Sequence, residues 1–271
     1  MMESGRDRTT AEIPVVILCG GQGTRMRGQT PTKKELVEVG GRPIIWHVMR
    51  IFSAYGHNEF VLTLGYEAEQ IRRYFLDYEV MTRDVTLTIG SPEDQSQVKF
   101  HRGLEHPVWQ VSLVDTGLWT DKASRVARVR DYLKGPRFFV AYGDDVSDVD
   151  LTALSAFHRS HGRLATITAV QIDLPYGVVE ADPQGLVRGF LERPRLEHWI
   201  NGGFMLFERE VLDRMANGDD VSLEEQILPE LALDQQLMIY RHHGFWRSMN
   251  TMKDNMILEE MWQQSAPWRV W

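Results

Sequence analysis

The stretch Val15-Val-Ile-Leu-Cys-Gly-Gly-Gln-Gly-Thr-Arg25, followed by Lys34 and then by Gly40-Gly-Arg-Pro43, decides how this chain is read. Val15 to Leu18 form a short, unbroken apolar run, the pattern of a parallel strand covered on both faces. Gly20, Gly21 and Gly23 then open the backbone. Lacking Cβ atoms, they can take positive φ and turn several N–H groups toward one anion, the concave nest that holds phosphate oxygens. Thr24 and Arg25 add a hydroxyl and a fixed charge. The spacing is neither of the two common phosphate loops: Gly-x-x-x-x-Gly-Lys-Ser/Thr is absent, and no acidic residue stands where a dinucleotide ribose needs one. Read alone, the cluster is compatible with a tight turn as well as with an anion nest.

Outward from this stretch, apolar runs alternate with helical patterns, as in βαβ units. Leu36 to Val39 reads as extended, and Pro43 as the first helical residue ahead of Ile44 to Ala54. Strands are expected at Phe60 to Leu64, Val85 to Ile89, Trp109 to Val114 and Phe138 to Tyr142, with helices at Glu67 to Tyr78 and Ser124 to Leu133. Further on, Ala165 to Ile172, Val178 to Glu180, Leu186 to Leu191 and Phe204 to Phe207 are successive strands with little helix between them, so a mixed sheet is expected. Ser222-x-x-Glu225 and Thr251-x-x-Asp254 are capping-box patterns ahead of Ile227 to Leu233 and Met256 to Trp262. The expected fold is α/β, a Rossmann-like, mixed but mainly parallel sheet flanked by helices.

A chain of 271 residues can bury a large core in one domain, here placed at 13–271 behind a disordered leader at 1–12. The formal charge of −8 and the lack of a basic stripe argue against a nucleic-acid surface. The single cysteine, Cys19, has no partner for an internal disulfide and suits the end of a buried strand, consistent with a reducing cytoplasm. No apolar stretch has the length of a membrane span or the layout of a signal peptide.

In an open parallel sheet, ligands bind beyond the carboxyl ends of the strands. The loop Gly143-Asp144-Asp145 follows one expected strand, and an aspartate there can hold Mg²⁺, a hard cation that takes oxygen ligands; a turn or cap aspartate is the plainer alternative. Lys34 is a candidate for phosphates, whereas Lys33 reads as solvated surface charge. His101, His106, His242 and His243 lack metal-ligand spacing and read as surface or core residues. Trp262, Trp268 and Trp271 read as core or interface packing.

The pattern Leu18-Cys-Gly-Gly-Gln-Gly-Thr-Arg25, Lys34 and Val37-Glu-Val-Gly-Gly-Arg-Pro-Ile-Ile-Trp-His-Val-Met49 resembles the sugar-1-phosphate nucleotidyltransferases, and within them the glucose-1-phosphate cytidylyltransferase branch. Gly65-Tyr66, Ser112-Leu-Val-Asp-Thr-Gly117, Tyr142-Gly-Asp144, Glu192-Arg-Pro194, Asn201-Gly-Gly-Phe204, Gly244-Phe-Trp246 and Ala266-Pro-Trp268 extend the resemblance over roughly residues 14 to 271. It implies attack by a sugar 1-phosphate oxygen on the α-phosphate of a nucleoside triphosphate, most simply CTP with α-D-glucose 1-phosphate. Pyrophosphate would leave, with Mg²⁺ as cofactor and a homo-oligomer as the assembly. It also implies roles: Arg25 and Lys34 catalytic; Leu18, Cys19, Gly20, Gly21, Gln22, Gly23, Thr24, Arg25, Thr120, Arg125 and Gly143 on the nucleotide; Gly177, Glu192, Arg193 and Asn201 on the sugar phosphate.

Several positions depart from the family pattern. A second metal-binding aspartate in Trp-x-x-Met-Asp-Thr is replaced in Trp246-Arg-Ser-Met-Asn250-Thr251, so the expected metal ligands are Asp144 and Asn250. The family's Lys-Pro-Lys-Pro-Met aligns with Thr32-Lys-Lys-Glu-Leu36, which sets Lys34 on the second lysine. Arg193 stands for a lysine, a change of binding geometry, and Asp173-Leu-Pro-Tyr-Gly177 stands for Gly-Arg-Phe-Gly. These substitutions keep two alternatives in view: a different base or an unusual sugar or cyclitol phosphate, and a nucleotide-sugar-binding protein without turnover.

Overall fold

The unbroken apolar runs become interior strands because each has to cover two faces. In Val15–Leu18 all four side chains are buried: Val15 and Ile17 join one core, Val16 and Leu18 the other. The strand Arg137–Tyr142 divides in the same way, Phe139 and Ala141 against Phe138 and Val140. This is the period-2 geometry of a strand with helices on both sides. The structure, a computed structural model, describes residues 12–22, 32–89, 97–101, 103, 106–216, 218 and 220–271. Gly23, Thr24 and Arg25 lie outside them, as does the expected leader except Glu12, whose carboxylate accepts a hydrogen bond from Asn58 N at 2.8 Å.

Val15–Leu18 pairs in parallel with Glu59–Leu64 on one side and with Arg137–Tyr142 on the other, and Glu59–Leu64 pairs in parallel with Gln110–Asp115. Beyond Arg137–Tyr142 the sheet turns antiparallel through Met205–Glu208 to Ala165–Val170. That last strand also pairs antiparallel with Ile200–Asn201 and parallel with Leu237–Arg241, giving the mixed sheet expected from the second half of the chain. One face is covered by the helices Ile44–Ala54 and Met252–Gln264 and by fully buried Trp268; the other by Lys122–Arg128, Val211–Met215, Leu223–Ile227 and Leu228–Leu233. Among the described residues no helix is long and apolar enough to cross a membrane.

Several boundaries move for local reasons. Lys34–Leu36 is a turn of 3-10 helix, and Glu38–Val39 pairs with Arg42–Pro43 in a tight hairpin whose Gly40 and Gly41 take φ of 59° and 73°. Pro43 therefore ends a strand and serves as the extended residue before the helix rather than as its first helical residue. The expected helix Glu67 to Tyr78 splits at Asp77 into Ala68–Leu76 and Tyr78–Thr82. Val85–Thr88 leaves the main sheet to pair with Gln97–Phe100. Lys122–Arg128 begins two residues earlier than expected because Asp121 caps it, and the remainder of the expected helix is a 3-10 turn at Arg130–Tyr132.

The Thr251 capping box is complete, with both Thr251 and Asp254 bonding back. At Ser222 only half of the box forms. Its side chain accepts from Glu225 N, but its own N–H goes to Gln226 Oε1 at 2.7 Å, and the first turn is a π-helix at Leu223–Ile227.

Candidate active site

Four parallel strands end on the same side, and their following loops meet there. Gly143 N donates to Leu18 O at 3.2 Å and Tyr66 N to Gly20 O at 3.1 Å, which ties the loop after the first strand to both neighbours. Strand order reverses here, with sequence neighbours on opposite sides of Val15–Leu18, the place where open α/β sheets form a crevice. A cleft of about 290 Å³ occupies it, lined by Leu18, Gly20 and Gly21 on one side and by Lys34, Thr120 and Asp144 on others.

A short hairpin sets Asp144 against Asn250. Asp145–Ser147 pairs antiparallel with Trp246–Ser248, and Met249 N donates to Asp144 O at 3.0 Å. Two residues that lie far apart in sequence thus face one another. The Lys34 ammonium sits between them, ion-paired with Asp144 Oδ2 and donating to Asn250 Oδ1 at 3.0 Å. Ser248 Oγ donates to Asp144 Oδ2 at 3.3 Å and accepts from Asn250 Nδ2 at 2.9 Å, orienting the amide so that its oxygen points to the cation. The three expected residues Lys34, Asp144 and Asn250 are therefore brought together.

A carboxylate oxygen and an amide oxygen converging on one positive charge are the donor set of a hard cation. The fit to a divalent metal rests on that convergence. Among the described residues no group of three or more His, Cys, Asp or Glu assembles, so water and substrate phosphates would complete the coordination.

Lys33 is not solvated: it is 4% exposed. Its ammonium donates to Gly21 O at 3.0 Å, lies 3.5 Å from Glu35 Oε2 and sits over the Tyr66 ring, while its N–H reaches Gln70 Oε1 at 2.9 Å. Charge next to a candidate phosphate residue had suggested exposure, but the 3-10 turn directs Lys33 inward to hold the glycine loop. Glu35, unremarked in the sequence, also lines the cleft, with Oε2 buried and without a hydrogen bond. Burial first, and then the nearby Asp144 charge, push its carboxyl up to about 7 against the pull of Lys33. Asp145 is buried behind Asp144; desolvation and the like charge of Asp144 raise its carboxyl well above the usual range. No local sequence signal marked Glu35.

Arg125 is 4% exposed, a buried charge and not a solvated one. Its guanidinium donates to Leu64 O at 3.1 Å, Thr116 Oγ1 at 2.8 Å, Gly117 O at 2.7 Å and Leu118 O at 3.3 Å. It braces the strand ends beneath the cleft while also lining it. Gly20 and Gly65 leave the space it fills: a Cβ on either would stand 2.3 Å or 2.5 Å from Arg125 Nη1. Thr120 lines the same wall and accepts from Arg128 Nη1 at 2.8 Å.

A second polar chain borders the cleft. Tyr142 Oη donates to Glu224 Oε1 at 2.5 Å, Lys122 Nζ reaches the same oxygen at 2.9 Å, and Asn201 Nδ2 donates to Tyr142 Oη at 3.2 Å. Asn201 is thereby joined to the cleft. Gly177, Glu192 and Arg193 meet on the separate hairpin formed by Val178–Ala181 and Val187–Leu191, where a Cβ at Gly177 would stand 3.1 Å from Glu192 Oε2. Arg193 takes φ 49° and lies 3.4 Å from Glu192. The histidines are structural: His242 Nε2 lies 2.9 Å from Asp148 and 3.1 Å from Phe245 O, and His106 stacks on Trp109.

The family model described as Nucleotidyl transferase matches residues 14–254. A "Probable glucose-1-phosphate cytidylyltransferase" of Bacillus subtilis is 36% identical over 96% of this chain and 100% of its own length. A glucose-1-phosphate cytidylyltransferase of Salmonella typhi is 38% identical over the same shares. The crystal structure of HddC from Yersinia pseudotuberculosis superposes with a TM-score of 0.65 at 19% identity, covering 92% of this chain and 99% of that one, which is a likeness of fold. A strand-end cleft built on a glycine loop and the match over nearly the whole chain lead to one conclusion: the chain belongs to the nucleotidyl transferase family.

Proposed function

We propose that the chain joins CTP and α-D-glucose 1-phosphate to give CDP-glucose and pyrophosphate. The observation that carries this reading is the meeting of Lys34, Asp144 and Asn250 at the mouth of the strand-end cleft. The choice of substrates is supported by relatives of that name matching over their full length. An oxygen of the sugar phosphate attacks the α-phosphorus in line, a new P–O bond forms, and the bond to the β-phosphate oxygen breaks as pyrophosphate leaves. No covalent intermediate on the protein is required, so catalysis consists of positioning and charge neutralisation.

In this reading Gly20 and Gly21 border the triphosphate, and Gly23, Thr24 and Arg25 serve its phosphates. Leu18, Cys19, Gln22 and Gly143 shape the pocket floor, and Thr120 borders the nucleotide. The Lys34 ammonium exchanges Asp144 for the phosphate oxygens. Asn201, Gly177, Glu192 and Arg193 hold the sugar phosphate. Asp144 and Asn250 would hold Mg²⁺, which when bound supplies Lewis-acid polarisation of the α-phosphate. The assembly is a homo-oligomer working in the cytoplasm.

A second reading, nucleotide-sugar binding without turnover, is favoured by one feature: Asn250 adds no negative charge to the cation site. Pyrophosphate release with Mg²⁺, measured for CTP, UTP, GTP, ATP and dTTP against several sugar 1-phosphates, separates the two. Release from CTP with glucose 1-phosphate is expected. Release only from another pair would overturn the substrate assignment, and binding by calorimetry with no release from any pair would establish the second reading.

A further inference from the structure

An asparagine at a cation site meets a difficulty that an aspartate does not. The two oxygens of a carboxylate are equivalent, so either can face a metal ion. A half-turn of an amide instead exchanges its oxygen for an NH₂ group, which turns hydrogens toward the cation and repels it. Position 250 carries the amide. The backbone on either side of its Cα is pinned, with Asn250 N donating to Asp254 Oδ2 at 3.2 Å and Met249 N donating to Asp144 O at 3.0 Å. What remains to be set is the turn of the side-chain amide.

Ser248 sets it. Its hydroxyl lies between the two expected metal ligands, with Oγ 3.3 Å from Asp144 Oδ2 and 2.9 Å from Asn250 Nδ2. Chemistry fixes the direction of both bonds. The ionised Asp144 carboxylate only accepts, so the single hydroxyl proton points to the acidic side, where the Asp145 side chain faces it as well. The lone pairs are left for a donor, and the NH₂ end of Asn250 supplies one. On the far side of the amide, the Lys34 ammonium has hydrogens and no lone pair. It donates to Asn250 Oδ1 at 3.0 Å and pairs with Asp144, filling the gap between the two oxygens with a positive charge. An aspartate at 250 would suit this hydroxyl poorly, since one proton would then face acceptors on both sides. Ser248 and Asn250 are matched to each other.

We propose that Ser248 is a positioning residue of the cation site: it holds the Asn250 amide with its oxygen inward and so lets a neutral side chain serve where a carboxylate would. The proposal rests on the reading of Asp144 and Asn250 as metal ligands, and it makes Asn250 a working ligand with a dedicated partner. Ser248 itself touches neither the metal nor the substrate. Residues that orient metal ligands in this way typically cost about 10–100-fold in metal affinity when removed.

The test uses Mn²⁺ as the probe, followed by the loss of the free-ion electron paramagnetic resonance signal, with the full chain and neither nucleotide nor sugar. The site is the saturable binding that Asp144→Ala removes. Ser248→Ala should weaken it about tenfold with asparagine at 250, and less than about twofold in the Asn250→Asp background, where either oxygen can face the ion. A hydroxyl that merely holds the hairpin together would cost the same with either residue at 250. Equal weakening in the two backgrounds therefore overturns the proposal, as does binding by Ser248→Ala as tight as that of the wild type. If neither the wild type nor Asn250→Asp shows binding that depends on Asp144, the cation-site reading falls and the proposal falls with it. The assignment of CTP and glucose 1-phosphate is judged separately, by pyrophosphate release, and its failure would leave the Mn²⁺ result standing.

Discussion

Replacing Gly20 with alanine tests whether Arg125 braces the cleft from below. The new Cβ would stand 2.3 Å from Arg125 Nη1 and 2.5 Å from Cζ. The guanidinium cannot turn aside freely, because its donors serve three carbonyls, those of Leu64, Gly117 and Leu118, and the Thr116 hydroxyl. Hydrogen bonds from a charged donor contribute about 1.5–3 kcal/mol each, less than additively when they share one group. Arg125→Ala, which strands those acceptors, should therefore cost about 4 kcal/mol, and Gly20→Ala, which displaces the same side chain, about 3 kcal/mol. With Arg125 already truncated, the added methyl meets open space. The double variant should therefore lose less than the sum of the single losses, by about 2 kcal/mol or more. Urea unfolding of the four proteins, followed by far-UV circular dichroism, gives the coupling directly. Additive losses would refute the close packing of Arg125 on Gly20.

Three further perturbations follow from the same site. Lys34→Ala should lower kcat by about 10²–10³ with little change in stability, the cost of losing one group that meets transition-state charge. Lys33→Ala should destabilise the fold by about 2 kcal/mol, since it strands a buried carboxylate; equal kinetic effects with no stability difference would contradict the two placements. Asn250→Asp should reduce the Mg²⁺ concentration needed for half-maximal rate, because a carboxylate replaces a neutral oxygen, and an unchanged requirement would count against Asn250 as a ligand. Glu35 has its folded value pushed up to about 7 from an ordinary 4.5. Its contribution to stability is full below about pH 4.5 and is lost as pH rises through 7, on the order of 3 kcal/mol in all. Glu35→Gln should flatten the wild-type fall in unfolding free energy over that window, and an unaltered slope would exclude Glu35 as its source.

The positions of the interior strands and of the loops after them were legible because Val15–Leu18 and Arg137–Tyr142 must be apolar on both faces, a demand visible in any single run of residues. The Thr251 capping box was legible for a similar reason, since its two halves lie three residues apart. Burial of charge was not. Nothing local distinguishes Lys33 from Lys34; the 3-10 turn that sends one inward and the other to Asp144 is set by packing against the glycine loop and the helix Ala68–Leu76. Arg125 and Glu35 likewise owe their roles to segments far along the chain. The helix expected at Glu67 to Tyr78 was overextended because the pattern carries no mark of the break at Asp77. The residues for which resemblance was the sole guide, Gly177, Glu192 and Arg193, come together on their own hairpin, while Asn201 is joined to the cleft through Tyr142.

The most direct test of the account follows the sugar through the reaction. With CTP, Mg²⁺ and glucose 1-phosphate labelled with ¹³C at the anomeric carbon, NMR should show the labelled carbon pass into CDP-glucose in step with pyrophosphate release, and Lys34→Ala should slow both together. Pyrophosphate appearing with the label still in glucose 1-phosphate, or transfer that proceeds undiminished without Lys34, would contradict it.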